Sequence, residues 1–134
     1  MKIITRMLAD DLYEATNPGG NKVMIDMRKA GDKIDLSPTE LLLSALAGCG
    51  AVDIVIMLKK RKKTILEFVI ETEGTRNEEP PRYFTKIHCK YIVTSPDVNE
   101  EELNKTAGLA LEKYCSVASS LKSEITYSVV VMRP

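Results

Sequence analysis

Two cysteines stand in settings that suit reaction better than packing. Cys49 lies in Ser44-Ala45-Leu46-Ala47-Gly48-Cys49-Gly50-Ala51-Val52-Asp53, and Cys115 in Glu112-Lys113-Tyr114-Cys115-Ser116-Val117-Ala118. Glycine, alanine and serine leave space around a sulfur, so a second reactant or a second sulfur can approach. A thiol kept only for packing is more often wedged among large aliphatic groups. If the fold brings these two cysteines together, thiol redox chemistry is the leading reading.

Each cysteine also has a plain structural reading. Cys49 falls within a long helical stretch, and the flanking Gly48 and Gly50 each weaken a helix by roughly 1 kcal/mol relative to alanine. That cost implies close approach of a backbone or a ligand at this turn, or simply a small thiol at a helix–helix contact. Asp53 is one turn on and shares the face of Cys49. Its carboxylate would raise the thiol pKa, so a reactive Cys49 requires a compensating cation or hydrogen-bond donor. Cys115 ends one helical pattern and precedes another, where helix N–H groups lower a thiol pKa; the bland alternative makes Ser116 the cap and Cys115 filler. Cys89 follows His88 in a strand, so the two point to opposite faces and cannot readily share a metal. No Cys-x-x-Cys or His-x-x-x-His spacing occurs, so no metal or cofactor is expected. No serine sits in a nucleophile-elbow pattern, which discounts hydrolysis.

The elements that must position these residues read as follows. Residues 2 to 14 form one strand, Asn17-Pro18-Gly19-Gly20-Asn21 turns, and Lys22 to Arg28 returns. Ile34 to Leu36 adds a short strand. Ser37 caps a helix with Pro38 at its first position and Glu40 completing a capping box, running to about Lys60. The run Lys59-Lys60-Arg61-Lys62-Lys63 suits the negative end of that helix, or alternatively an anion or partner site. Leu66 to Thr75 and Tyr83 to Thr94 are strands, Asn99 caps an amphipathic helix, a short helix begins near Cys115 or Ser116, and Ile125 to Met132 closes the chain. The order indicates a single α+β domain over residues 1–134 whose largely antiparallel strands pack on one long apolar helix.

Composition bounds the function. Nineteen basic and nineteen acidic residues cancel in 134, so no broad field draws nucleic acid or an anionic membrane. Three cysteines and no signal-like start point to a reducing compartment, the cytoplasm. Leu41 to Leu58 followed by the basic run resembles a membrane span, but Ser44, Gly48, Gly50 and Asp53 interrupt it, so a buried helix of a domain or dimer is the simpler expectation. The helix is too apolar for a monomer of this size to hide, and a dimer is expected.

Ser37-Pro38-Thr39-Glu40-Leu41-Leu42-Leu43-Ser44-Ala45-Leu46-Ala47-Gly48-Cys49-Gly50-Ala51, with Tyr114-Cys115-Ser116-Val117-Ala118 and the strand Phe84-Thr85-Lys86-Ile87-His88, resembles the OsmC/Ohr family of osmotically inducible and organic-hydroperoxide-resistance proteins. The resemblance covers essentially the whole chain. It implies an intertwined homodimer with two long central helices wrapped by sheets and active sites at the subunit interface. It also implies that Cys49 attacks a peroxide and becomes a sulfenic acid, that Cys115 condenses with it to a disulfide, and that an external dithiol restores both. Organic hydroperoxides and dihydrolipoyl groups are the family's usual partners.

The chain departs from the family at two points, the arginine and the residue after the second cysteine. Family peroxidases hold the thiolate with an arginine from the N-terminal hairpin region, whereas Asn17 to Asn21 contains none. Lys22 is the nearest cation there, with Arg6 and Arg28 in flanking strands. The family's acidic partner for that arginine maps to Thr39 or Glu40, and Glu40 is also explained as part of the capping box. Serine replaces the proline that commonly follows the second cysteine. The expectation is a homodimeric thiol peroxidase using Cys49, Cys115 and Glu40. The alternative is a non-catalytic, stress-linked dimer that binds a small apolar ligand or a protein thiol in the interface cleft.

Overall fold

The structure, a computed structural model, describes all residues from Met1 to Pro134. They form two compact units, Met1–Leu42 and Leu43–Pro134.

In the first unit β1 (Ile4–Ala9), β2 (Leu12–Thr16) and β3 (Lys22–Asp26) make an antiparallel three-stranded sheet in that order. The stretch expected as one strand from 2 to 14 is therefore two. It folds back at Asp10-Asp11, where Asp11 adopts φ 61, a left-handed conformation that aspartate tolerates better than most residues. Asn17 to Asn21 turns as expected, closed by Asn17 N–H on the Asn21 carbonyl at 3.1 Å. Ile34 to Leu36 is not a strand. Its backbone is drawn onto the fully buried Asp26, whose carboxylate accepts from the N–H groups of Ile34 and Asp35 at 2.9 and 3.0 Å. A side-chain anion has replaced a ladder there.

Helix α1 (Pro38–Lys60) starts where the local chemistry requires. The Ser37 N–H donates to Glu40 Oε1 at 3.0 Å, and the Glu40 N–H returns to Ser37 Oγ at 3.4 Å. These bonds, led by the Ser37 N–H and supported by Lys33, lower the Glu40 pKa from 4.5 to about 2. A group with a depressed folded pKa stabilises fully above its unfolded value and loses that contribution as pH falls toward the folded one. Ser37→Ala is expected to cost about 1 kcal/mol near neutrality. Thermal melts against pH should show the gap to the parent narrowing between pH 4.5 and about 2. A gap independent of pH would separate the cap from the carboxylate. At its other end α1 closes with Lys62 in the left-handed region (φ 60), and Lys63 N–H reaches back to the Leu58 carbonyl at 3.1 Å, a Schellman closure.

In the second unit β4 (Glu67–Arg76) pairs antiparallel with β5 (Phe84–Thr94), and β6 (Glu124–Met132) lies parallel to β5 on its other side. The crossover that parallel pairing requires carries α2 (Glu100–Leu109), a π-helical turn (Ala110–Tyr114) and α3 (Ser116–Ser119). Leu46, Ile54 and Leu58, spaced along one stripe of α1, share a core with Ile87, Cys89, Tyr91 and Val93 of β5 and Leu103, Ala107 and Ala110 of the crossover. The other sides of α1 remain apolar but bare, with Val52 59% and Ile56 47% exposed. By length and composition this helix is also able to cross a membrane.

Candidate functional site

The two cysteines singled out by their surroundings are brought together, both as free thiols. Cys49 projects from the middle of α1 and is half-buried, while Cys115 is 2% exposed. The π-helical turn delivers Cys115. Its N–H closes onto the Ala110 carbonyl at 2.7 Å, after which the backbone leaves the helix at φ −75, ψ 105. Such wide turns recur at functional sites because they re-aim the following residue. Here that residue becomes the N-cap of α3, with Ala118 N–H donating to Cys115 Sγ at 3.3 Å. The reading of Ser116 as cap and Cys115 as filler is thus reversed. Sulfur caps, and Ser116 is the first helical residue.

Cys49 Sγ meets the Cys115 thiol, the backbone N–H groups of Val117 and Ser116, and the Ser116 hydroxyl at 4.0 Å. Burial pushes the Cys49 pKa up, but these donors outweigh it and the net position is below an ordinary thiol. Cys115 moves the other way. Burial and its bond to the Cys49 sulfur outweigh the Ala118 and Val117 N–H groups, and its pKa is pushed up to about 11. The pair is therefore asymmetric, with one sulfur favoured as the thiolate and the other held as a protonated thiol.

The glycines flanking Cys49 differ. A Cβ on Gly50 would lie 2.9 Å from the Tyr91 hydroxyl, whereas one on Gly48 would meet nothing within 4 Å. Tyr91 is fully buried, and the neighbour its hydroxyl finds is the sulfur of Cys89, two residues before it on the same face of β5, a weak acceptor. Burial, then the charges of Cys89, Cys115 and Cys49, keeps it un-ionised by pushing its pKa above the ordinary phenol range. Tyr91 and Ser116 are the site neighbours that sequence reading missed. Only the glycine beside Cys49 hinted that something large approached.

Other candidates lie elsewhere. Cys89 is fully buried in the core and its pKa is raised by burial. His88 faces the opposite side and is exposed, with its ring nitrogens 2.7 Å from Thr126 Oγ1 and 2.9 Å from Ser128 Oγ. Asp53 joins Ile56, Met57, Lys60 and Tyr114 around a cavity of about 240 Å³. Glu40 is engaged with Ser37 and Lys33, about two and a half turns before Cys49 on α1. Lys22 pairs with Glu14 at 3.4 Å. Arg28 is bound bidentately to Asp26, Nε at 2.9 Å and Nη2 at 2.7 Å, and holds that carboxyl far below the usual carboxylate range. No three His, Cys, Asp or Glu side chains are grouped to hold a metal ion.

Comparison with known proteins places this geometry. The OsmC-like protein family matches residues 30–130. Protein YhfA of Escherichia coli is 36% identical over 115 residues, spanning 84% of each chain. An OsmC-like protein from Mycoplasma pneumoniae superposes with TM-score 0.82 at 21% identity, covering 98% of this chain and 96% of that one. The organic hydroperoxide resistance protein OhrB of Bacillus subtilis superposes with TM-score 0.63 at 15% identity, covering 97% and 96%. At those identities the structural likenesses speak for the α+β fold with its two small sheets, while the sequence matches speak for kinship. The chain belongs to the OsmC-like family.

Proposed function

We propose that the protein is a stress-linked, thiol-dependent peroxidase that reduces organic hydroperoxides or hydrogen peroxide. The carrying observation is the asymmetry of the Cys49–Cys115 contact. Cys49 thiolate attacks the outer peroxide oxygen. An S–O bond forms, the O–O bond breaks, and the electron pair leaves on the alkoxide, which takes a proton to become the alcohol. Cys49 is now a sulfenic acid. Cys115 displaces its hydroxyl as water, forming the disulfide, and an external dithiol reduces that bond and is itself oxidised. Membership of the OsmC-like family, and a fold shared with organic hydroperoxide resistance proteins such as OhrB of Bacillus subtilis, support this reading. Peroxide consumption with a dithiol reductant tests it, with Cys49→Ser as the decisive variant.

The second reading, a non-catalytic dimer that binds a small apolar ligand or a protein thiol, draws on Arg28. Its guanidinium is committed to Asp26, so it is not available as the family's thiolate-holding arginine. Against that, hydrogen-bond donors already surround Cys49.

In either reading each chain is one domain of an intertwined cytoplasmic homodimer, and the bare side of α1 around Val52 and Ile56 is covered by a second copy. Gly48 tests this. On a bare helix Gly48→Ala should stabilise by about 1 kcal/mol through helix propensity alone. Under a closely packed partner helix the added methyl should instead weaken association. Sedimentation across the micromolar range is expected to show a dimer for the parent and a shift toward monomer for Gly48→Ala. A monomeric parent would refute the dimer.

A further inference from the structure

Ser116 carries a side chain at the thiol site that neither capping nor the cysteine pair explains. Its capping role is filled by the Cys115 sulfur, which accepts from Ala118 N–H. Two more hydroxyls occur in the same turn, and both are spent locally: Ser119 and Ser120 donate to the Ser116 carbonyl at 3.0 and 2.8 Å. They fix the backbone at Ser116. The Ser116 hydroxyl is the one turned across to α1, with its oxygen 4.0 Å from Cys49 Sγ. That spacing is the outer reach of a hydroxyl–sulfur hydrogen bond, and a peroxide oxygen arriving at the sulfur would lie within the gap.

We propose that the Ser116 hydroxyl is a catalytic group of this site, donating to the Cys49 sulfur at rest and to the departing peroxide oxygen during attack. This rests on the peroxidase reading. As the thiolate pair forms the S–O bond, the sulfur loses its negative charge and ceases to be the best acceptor near Ser116. The broken O–O bond leaves its electron pair on an alkoxide, a far stronger acceptor. The hydroxyl follows the charge, passes its proton to the alkoxide and recovers one from water. The sum is thiolate, hydroperoxide and one proton giving sulfenic acid and alcohol. Sulfur is oxidised and peroxide oxygen reduced, with no other reactant. The hydroxyl thereby works where the charge develops, as positioned donors do.

The test compares the parent with Ser116→Ala and Ser116→Thr, all with both cysteines in place. Ser116 is exposed, and alanine keeps the backbone N–H, so thermal unfolding should hardly change. Single-turnover oxidation by cumene hydroperoxide is expected to slow about a hundredfold in Ser116→Ala, the low end for a positioned proton donor. Threonine should restore most of the rate. Iodoacetamide labelling of Cys49 against pH, read by peptide mass, should show a higher midpoint for alanine than for parent or threonine. An alanine variant with the parent's rate and midpoint overturns the proposal. An inactive parent defeats the peroxidase reading and the proton relay with it, while the labelling midpoint still decides the hydroxyl–sulfur bond separately.

Discussion

Cys49→Ser is expected to consume organic hydroperoxide no faster than buffer with dithiol alone, a loss of at least several hundredfold. A serine hydroxyl at that position stays protonated at neutral pH and is a poor nucleophile toward a peroxide oxygen, whereas the thiolate is both available and soft. Cys115→Ser should behave differently. It keeps the attack, so one equivalent of hydroperoxide is consumed quickly. It lacks the sulfur that displaces the sulfenic hydroxyl, so Cys49 stops at sulfenic acid, trappable by dimedone and open to over-oxidation. Dithiol-driven turnover then falls to whatever rate the reductant attacks sulfenic acid directly. Equal rates for both variants and the parent would remove the pair from the chemistry altogether.

The pH dependence of the same assay follows from the sign of each shift. Cys49 ionises below an ordinary thiol because Cys115, Val117 and Ser116 donate to its sulfur against the cost of burial. Single-turnover oxidation should therefore rise with pH to a plateau, through a midpoint below that of a free cysteine. Cys115 sits near 11, so its ionisation should not appear in that step. In Cys115→Ser the Cys49 midpoint should move, since the donor first in importance has been exchanged. The external dithiol faces a choice between the two sulfurs of the disulfide. Access favours attack at half-buried Cys49, but leaving-group ability favours release of Cys49, the more acidic thiol. Slow reduction relative to oxidation is the expected consequence.

The parts of this site that were legible in sequence are those governed by near neighbours. Ser37, Pro38 and Glu40 announce the start of α1 because capping is completed within four residues. The spacing in Gly48-Cys49-Gly50 announced an approach, and small residues around Cys115 announced access. What stayed hidden depends on partners far along the chain. Nothing in Ile125 to Met132 states that it pairs parallel to β5. The Asp10-Asp11 reversal lies inside a run whose propensities read as strand, and one residue in a left-handed conformation decides it. The π-helical turn has no composition signal either, yet it settles that Cys115 rather than Ser116 caps α3, which leaves the Ser116 hydroxyl beside Cys49 without a capping role. Local chemistry told where the reactive groups stand, while the long-range fold told which of them are spoken for.

Gly50 is where those two kinds of information meet, and the coupling there is expected to be large. Gly50→Ala adds a methyl whose carbon would sit 2.9 Å from the Tyr91 hydroxyl. Tyr91 is fully buried among Leu46, Ile54 and Ile87, so its ring has little room to retreat. Overpacking of this kind costs about 1–3 kcal/mol, against a gain of roughly 1 kcal/mol from replacing a helical glycine. The single variant should be destabilised by up to about 2 kcal/mol, the balance of those two terms. Tyr91→Phe removes a hydroxyl whose neighbour is a weak acceptor, the Cys89 sulfur, so it should be close to neutral where most buried deletions are costly. In the double variant the methyl takes the space the oxygen vacated, and the helix-propensity gain survives. It should be at least as stable as the parent, with a favourable coupling of about 1–3 kcal/mol in a double-mutant cycle by urea unfolding. Additive effects would mean that the Tyr91 oxygen is not what keeps position 50 a glycine. The cycle also reaches the chemistry, because Gly50 follows Cys49 on the same helical turn. If Gly50→Ala tilts that turn, the Cys49 labelling midpoint should move in the single variant and return toward the parent's in the double one. Stability and thiol reactivity would then be reporting the same contact.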